Sequence, residues 1–181
     1  MFNLSTQDVV QSIEKAPLVN LNGIIFQEYS DFFGKNFKLP DLGNKSFMKL
    51  ESQENTPRVR LDYQDNLMKM LRVFFMNKNV TCALVKKFNT TLNFTSVDIW
   101  VDNNGYGLPP HIDNKGIKLA LQIYLGNNNI GTSLYSEQTL LKTFEYKFNC
   151  GYALLNNSKS LHGIEGVVGK NGRISLYARY S

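Results

Sequence analysis

The second half of the sequence is divided into short segments, and this pattern most restricts the fold that the chain can adopt. After Lys78, short apolar runs alternate with turn residues such as Asn103-Asn104-Gly105. The strand candidates are residues 80–88, 95–101, 118–125, 132–135, 143–148, 152–155 and 173–180. Short runs between turns are typical of antiparallel strands. Strands and helices do not alternate here, which argues against a doubly wound parallel sheet.

The first part of the chain predicts helices. Ser5 or Thr6 is a suitable N-cap for a helix that Pro17 ends, and residues 18–26 follow as a strand. A helical stripe then marks residues 62–77, approximately. Its apolar members recur with the helical period and are Leu67, Met70, Leu71, Phe74 and Phe75. The sequence between Glu28 and Pro57 predicts no regular structure.

Together these patterns predict an α+β, mainly β fold: a double-sheet jelly roll with N-terminal helices bracing one face. A chain of 181 residues suits one domain. We therefore predict a single domain over residues 1–181, with a helical and irregular part up to about residue 79 and the jelly-roll core from about residue 80.

Composition excludes several classes of protein. The net charge is +5, but no basic cluster is denser than Lys86-Lys87, which argues against nucleic-acid binding. No apolar run is long enough to span a membrane. We expect the chain to carry no signal peptide, because its first residues lead directly into a polar, helix-like stretch. The two cysteines, Cys82 and Cys150, exclude a disulfide scaffold and a four-cysteine zinc site. We expect them to be buried free thiols in a cytoplasmic protein; no pattern predicts an oligomeric state.

The two histidines occupy informative positions. His111 and Asp113 are two residues apart, so in an extended strand their side chains point to the same face. His162 lies between two predicted strands, where a folded-back sheet can bring it alongside. Two histidines and one carboxylate are the ligand set of non-haem Fe(II) oxygenases. Taken alone, either histidine is an ordinary surface or core residue.

The last predicted strand adds a second feature. Arg173 begins this strand, and Ser175 shares its face. A guanidinium pairs with a carboxylate through two parallel hydrogen bonds, and a hydroxyl two residues further on can bind the same carboxylate. The sequence therefore places a candidate carboxylate-binding pair shortly after His162.

In this order and spacing the sequence resembles the 2-oxoglutarate- and Fe(II)-dependent dioxygenases, and most closely their prolyl-hydroxylase-like group. The resemblance covers about residues 97–181. It is carried by His111-Ile-Asp113-Asn114, Ile123-Tyr124-Leu125-Gly126-Asn127, Gly131-Thr132-Ser133-Leu134-Tyr135, Gly151-Tyr-Ala-Leu-Leu155, His162-Gly163 and Gly172-Arg173-Ile-Ser175-Leu176.

The resemblance implies a double-stranded β-helix core in which His111, Asp113 and His162 hold the iron. It implies that Arg173 binds the C5 carboxylate of 2-oxoglutarate, with Ser175 and Tyr124 as helpers. The expected cofactors are Fe(II), 2-oxoglutarate as cosubstrate, and dioxygen. The expected activity is hydroxylation of an unidentified substrate, a small molecule or a peptidyl residue such as proline.

Departures from the family pattern leave alternatives open. Collagen-type prolyl hydroxylases usually have Lys at the position of Arg173. The spacing of Arg173 and Arg179 also occurs in alkylated-base demethylases, although Trp100 and Asp102 stand where those enzymes have Asn and Tyr. A zinc hydrolase or cupin-type enzyme, and a non-enzymatic jelly-roll binding module, are further alternatives. Asp98 and Trp100 are candidates for lining a pocket.

Substrate selectivity is predicted to lie in the irregular segment from about Glu28 to Arg58, because long loops on a rigid scaffold often carry binding residues. The segment is rich in aromatic residues: Tyr29, Phe32, Phe33, Phe37 and Phe47. The alternative is that these aromatic side chains anchor the segment to the helices.

Overall fold

The computed structural model describes residues 4–43, 45–48 and 57–181, and over these residues the chain forms three α-helices and eleven β-strands. The helices are α1 (Thr6–Lys15), α2 (Asn66–Phe75) and α3 (Lys78–Phe88). The strands are β1 (Leu18–Leu21), β2 (Ile24–Tyr29), β3 (Phe47–Met48), β4 (Arg58–Leu61), β5 (Phe94–Asp102), β6 (Leu119–Tyr124), β7 (Ser133–Ser136), β8 (Thr139–Thr143), β9 (Gly151–Leu155), β10 (His162–Gly163) and β11 (Arg173–Tyr180).

Side-chain caps begin the first two helices, and both helices are predicted correctly. The Ser5 hydroxyl accepts a hydrogen bond from the backbone N–H of Asp8 at 3.2 Å. The Asp65 carboxylate accepts one from Leu67 N–H at 2.8 Å. Each cap satisfies a backbone donor that has no partner inside the helix.

The prediction of a strand over residues 80–88 is wrong, because these residues belong to α3. Asn77 caps this helix by accepting a hydrogen bond from Asn79 N–H at 2.8 Å. The buried residues of α3 recur at helical spacing and are Val80, Ala83, Leu84 and Phe88. A short apolar segment does not distinguish a buried strand from a helix by its periodicity alone, and the cap decides the outcome here.

Two further strand predictions need correction. Residues 18–26 are not one strand, because Asn22 and Gly23 adopt positive φ angles and turn the chain from β1 into β2. This Asn-Gly turn is a strong hairpin signal. Residues 144–148 are not a strand either, since β8 ends at Thr143. Phe144 and Tyr146 are nevertheless both buried, which gives an irregular segment the alternation of a strand.

The strands form two antiparallel sheets. The major sheet has eight strands in the order β1-β2-β9-β6-β11-β5-β4-β3, and the minor sheet has the order β10-β7-β8. Four strands of the major sheet precede residue 80, so this sheet draws on both predicted parts of the chain. The architecture is α+β and mainly β, as predicted. The single-domain organisation stays a prediction.

Alternation along the central strands gives the major sheet two different faces. One face is apolar and packs on the helices; its residues include Val97, Ile99, Leu121, Ile123, Leu176 and Ala178. The intervening residues lie on the opposite face and are largely polar; they include Asp98, Trp100, Asp102, Gln122, Ser175 and Tyr177. Because the helices cover the first face, the second face is available for a site.

The cysteines are less buried than the sequence predicts. Both cysteines are free, but Cys82 is exposed and Cys150 is half-buried, so the expectation of buried thiols is wrong for Cys82. None of the helices in the described ranges combines the length and the apolar character that crossing a membrane requires.

Candidate metal and carboxylate site

The structure brings the three predicted metal ligands together. His111 and His162 pair through their backbones, with His111 N–H donating to His162 O at 2.8 Å and His162 N–H donating to His111 O at 2.9 Å. Asp113 Oδ1 lies 3.6 Å from His111 Nε2 and 3.8 Å from His162 Nε2. One ligand atom from each of the three residues falls within 4.8 Å of the others.

Both imidazoles are oriented by backbone carbonyls. His111 Nδ1 lies 3.0 Å from Pro109 O, and His162 Nδ1 lies 2.9 Å from Ser160 O. A carbonyl only accepts a hydrogen bond, so each Nδ1 carries the proton and each Nε2 presents its lone pair. This outer-shell arrangement is typical of metal-binding histidines. The donor set and its orientation therefore fit a divalent cation.

A hydrogen bond also fixes the orientation of the Asp113 carboxylate. The Tyr177 hydroxyl donates to Asp113 Oδ2 at 2.7 Å, while Oδ1 faces the two imidazoles. Burial alone would raise the pKa of Asp113, but His111, His162 and Tyr177 outweigh that effect and lower the pKa. Asp113 is therefore a carboxylate near neutral pH and supplies one negative charge.

The pKa values of the two histidines are shifted in opposite directions. The hydrogen bond with Asp113 is the main cause that raises the pKa of His111. Burial lowers the pKa of His162, which keeps this imidazole neutral and ready to bind a metal.

Arg173 lies deep in the same region and is incompletely paired. Its side chain is 2% exposed, and Nη2 donates to Thr132 Oγ1 at 3.0 Å. Nε stands 3.9 Å from Asp102 Oδ2, and neither Nε nor Nη1 has a hydrogen-bond partner among the described residues. A buried guanidinium with free N–H groups is costly, so this arrangement indicates a binding site for an anion.

A polar network holds the residues around Arg173. Gln122 Oε1 accepts hydrogen bonds from the Thr132 hydroxyl at 3.0 Å and the Tyr152 hydroxyl at 2.6 Å. Gln122 Nε2 donates to Ser175 Oγ at 3.0 Å. Strand β9 approaches β6 very closely here, since a Cβ atom on Gly151 would lie 2.0 Å from the Gln122 carbonyl oxygen. Only glycine fits at position 151, next to Tyr152.

The two predicted helpers of Arg173 lie beside it but are engaged within the protein. The guanidinium carbon of Arg173 lies 5.4 Å from the ring centroid of Tyr124. The Tyr124 hydroxyl accepts a hydrogen bond from Thr132 N–H at 2.9 Å. Ser175 bonds to Gln122. Neither is among the residues that line the cavity. Direct binding of a carboxylate by Tyr124 or Ser175 stays a prediction.

A cavity of about 180 Å³ joins the three candidate metal ligands to Arg173. Besides these four residues, it is lined by Arg58, Trp100, Leu108, Gln122, Thr132, Tyr152, Ile164, Tyr177 and Arg179. Sequence analysis missed Gln122, Thr132, Tyr152 and Tyr177 as site residues. The signal that could have found Tyr177 is its spacing, because it follows Arg173 and Ser175 on the same face of β11.

The aromatic residues of the segment from Glu28 to Arg58 do not line this cavity. Tyr29, Phe32, Phe33 and Phe37 are buried in the core beneath the helices, and Phe47 packs against that core. The prediction that these side chains select the substrate is wrong, and the alternative of anchoring is supported. Residue 44 and residues 49–56 of the segment lie outside the described residues. Arg58, at its end, does line the cavity.

We expect Phe37→Ala to destabilise the protein by about 3 kcal/mol, because it removes a buried ring. Phe37 lies 4.6 Å from the ring centroid of Phe33 and stacks on Phe148 at 5.5 Å. Thermal unfolding followed by circular dichroism measures the loss. The control is Val73→Ala on α2, where the side chain is 72% exposed and little change is expected. A stable Phe37→Ala protein would contradict the anchoring role.

Comparison with known proteins supports the fold. No family model and no curated protein matches the sequence, but solved structures do. A prolyl 4-hydroxylase from Phytophthora capsici has a TM-score of 0.62 at 15% identity, covering 100% of this chain and 66% of that one. A prolyl hydroxylase from Trichoplax adhaerens, in complex with a hypoxia inducible factor oxygen degradation domain peptide fragment, has a TM-score of 0.58 at 13% identity, covering 97% and 88%.

A third structure is a 2OG-Fe(II) oxygenase family oxidoreductase from Burkholderia pseudomallei, with a TM-score of 0.54 at 14% identity over 97% of this chain and 76% of that one. At such identities the likeness defines the fold. The chain therefore has the fold of the 2-oxoglutarate/Fe(II) oxygenases, prolyl hydroxylases among them. The family resemblance found in the sequence is confirmed at the level of the fold.

Proposed function

We propose that this protein is a non-haem Fe(II) dioxygenase that couples oxidative decarboxylation of 2-oxoglutarate to hydroxylation of a substrate. One observation carries the proposal: a cavity that contains two imidazoles and a carboxylate also contains a buried guanidinium with unpartnered N–H groups. A metal site alone does not need Arg173, and an anion site alone does not need the two histidines and Asp113.

Each group has a separate role in this proposal. His111, His162 and Asp113 hold Fe(II), and Arg173 with Thr132 binds the C5 carboxylate of 2-oxoglutarate. Tyr177 orients Asp113, and Gln122 orients the Thr132 hydroxyl. Bound Fe(II) and dioxygen supply the oxidising chemistry, which converts 2-oxoglutarate to succinate and carbon dioxide and transfers one oxygen atom to the substrate. The two sheets that flank the cavity would then form a double-stranded β-helix.

A peptidyl residue such as proline, or a small molecule, is the proposed class of substrate. The support is the fold shared with prolyl hydroxylases, one of which is in complex with a peptide. The demethylase alternative is weakened because Arg179 bonds to Asp98. Neither a binding module nor a zinc hydrolase calls for a buried arginine that binds a carboxylate, and neither would form succinate.

Succinate formation tests the proposal. The protein is incubated with Fe(II), 2-oxoglutarate and oxygen, with and without candidate substrates, and succinate is measured alongside a mass gain of one oxygen atom in the substrate. We expect slow uncoupled formation of succinate, which stops when a chelator removes the metal. Under anaerobic conditions, Fe(II) and 2-oxoglutarate together should give a weak visible absorption band. Absence of both the band and succinate would show that the proposal is wrong.

Tyr177→Phe should weaken Fe(II) binding by about 10-fold or more, because loss of an outer-shell partner typically costs 10- to 100-fold in metal affinity. The change removes only the hydroxyl that donates to Asp113 Oδ2. Anaerobic Fe(II) titration of the visible band measures the effect. Tyr135→Phe is the control, since Tyr135 is buried but lies outside the cavity. Equal Fe(II) affinity in the Tyr177 and Tyr135 variants would contradict the role of Tyr177.

A further inference from the structure

Asp102 lies between two arginines on the face of the major sheet that carries the site. In the strand register, Asp102 of β5 is opposite Arg173 of β11 on one side and opposite Arg58 of β4 on the other. Opposite charges at directly facing positions of neighbouring strands normally interact. One carboxylate therefore has two guanidinium groups within reach.

Asp102 pairs closely with only one of these guanidinium groups. Its Oδ1 lies 2.6 Å from Arg58 Nε, whereas its Oδ2 lies 3.9 Å from Arg173 Nε, which is beyond hydrogen-bond distance. In the parts of the chain that the structure describes, Arg173 Nε and Nη1 have no hydrogen-bond partner. The N–H groups of Arg173 are thus kept for an anion while Asp102 lies closer to Arg58.

Aromatic rings fix the position of Arg58. Its guanidinium carbon lies 4.5 Å from the ring centroid of Trp100 and 4.7 Å from that of Tyr106. A planar guanidinium stacks favourably on such rings. Because the group is held by two rings as well as by its ion pair, it stays beside Asp102 when the cavity fills.

Burial makes the choice of partner important for Asp102. The side chain of Asp102 is fully buried and that of Arg173 is 2% exposed, so water screens their charges little. A buried carboxylate without a partner is costly. If Arg58 were lost, Arg173 would be the remaining guanidinium that forms an ion pair with Asp102. Asp102 would then move towards Arg173.

We propose that Arg58 is a positioning residue for cosubstrate binding: it holds Asp102 away from Arg173 and so leaves Arg173 available for the C5 carboxylate of 2-oxoglutarate. This inference rests on the proposed function and concerns the same site. The balance of charge supports it. Arg58 and Asp102 neutralise each other, and Arg173 and the bound carboxylate form a second neutral pair. Without Arg58, Asp102 and the cosubstrate compete for one guanidinium.

Arg58→Gln should weaken 2-oxoglutarate binding by about tenfold or more, because Asp102 then neutralises Arg173. The protein is loaded with Fe(II) under anaerobic conditions and titrated with 2-oxoglutarate, and binding is followed by the visible band and by calorimetry. Arg60→Gln is the matched control. It removes the same charge from the same strand, but Arg60 lies outside the cavity lining and pairs with Asp98 at 3.8 Å. It should keep the wild-type affinity.

A second substitution distinguishes positioning from other roles of Arg58. Arg58→Gln combined with Asp102→Asn should recover most of the wild-type affinity, because no carboxylate remains to compete for Arg173. A structural role of Arg58, or direct contact between Arg58 and 2-oxoglutarate, would not be restored by removing a further charge. A double variant that binds as weakly as Arg58→Gln would therefore overturn the proposal.

Asp102→Asn alone keeps the proposal falsifiable if Arg58→Gln does not fold. This variant should bind 2-oxoglutarate at least as tightly as the wild type, since it removes the competing charge and leaves Arg173 intact. Circular dichroism confirms that each variant is folded before its affinity is compared. Weaker binding by folded Asp102→Asn contradicts the proposal, and so does equal affinity of Arg58→Gln and Arg60→Gln.

The visible band and the calorimetry separate this inference from the proposed function. A normal band together with equal affinities in the two arginine variants overturns only the role of Arg58. A wild-type protein that gives no band but binds 2-oxoglutarate in calorimetry overturns the proposed function, and the affinities of the variants still decide the role of Arg58. Absence of both the band and the heat of binding overturns both.

Discussion

Asp113→Ala should abolish both the visible band of the Fe(II)–2-oxoglutarate complex and the formation of succinate. The carboxylate of Asp113 is the one negative charge among the three ligands, and two neutral imidazoles do not balance a divalent cation. The expected loss of Fe(II) affinity exceeds the roughly 100-fold upper range for loss of an outer-shell partner. Anaerobic titration with Fe(II) at saturating 2-oxoglutarate measures it.

Asp113→Asn is the matched variant for this experiment. Asparagine keeps the size of the side chain and an oxygen that can accept the hydrogen bond from Tyr177, but it lacks the negative charge. We expect it to lose most of the Fe(II) affinity, because charge rather than shape is the main contribution of Asp113. Thermal unfolding of the metal-free variants controls for folding. An undiminished band in the folded Asp113→Ala protein would show that the ligand assignment is wrong.

The proximity of two of the candidate metal ligands was predictable from the sequence because the prediction depends on strand geometry. Side chains at i and i+2 share a face, which brings His111 and Asp113 together without any knowledge of the fold. The position of His162 depends on tertiary structure. Its backbone pairs with that of His111, which lies several strands earlier in the chain. The sequence indicated only that a folded-back sheet can bring His162 alongside.

The supporting residues could not be found in the same way. Gln122, Thr132 and Tyr152 come from three different segments, and their hydrogen bonds depend on the order of strands in the major sheet and on the close approach of Gly151 to β6. In sequence each of them is an ordinary strand residue. Hydrogen bonds between residues that are distant in the chain leave no periodic pattern in the sequence.

The errors in secondary structure have a similar origin. Residues 80–88 fit a strand or a helix, and the cap by Asn77 together with burial of Val80 and Leu84 favours the helix. The aromatic residues after Glu28 predicted a loop at the mouth of the site because no regular pattern connects them. They are buried because the core beneath α2 needs large side chains from a segment that forms little regular structure.

Arg173→Gln should raise the 2-oxoglutarate concentration needed for half-maximal activity by about 100-fold or more, with little change in Fe(II) affinity. Removing one partner of a buried charge pair typically costs about 2–5 kcal/mol, because the other charge is left without compensation. In the proposed complex the affected charge would be the C5 carboxylate of 2-oxoglutarate. Succinate formation at increasing 2-oxoglutarate, and anaerobic Fe(II) titration, measure the two affinities separately.

Arg179→Gln provides the matched comparison, since Arg179 lies on the same strand and face but bonds to Asp98. Its effect on 2-oxoglutarate should be clearly smaller, because Asp98 already compensates its charge. Arg173→Lys guards against misfolding: it keeps a positive charge near Asp102 and loses the two-pronged geometry, so an intermediate affinity is expected. A greater loss in Arg179→Gln than in Arg173→Gln would exchange the roles of the two arginines. That result would favour the arginine pattern of the demethylases, because the cosubstrate would then depend on the second arginine of the strand.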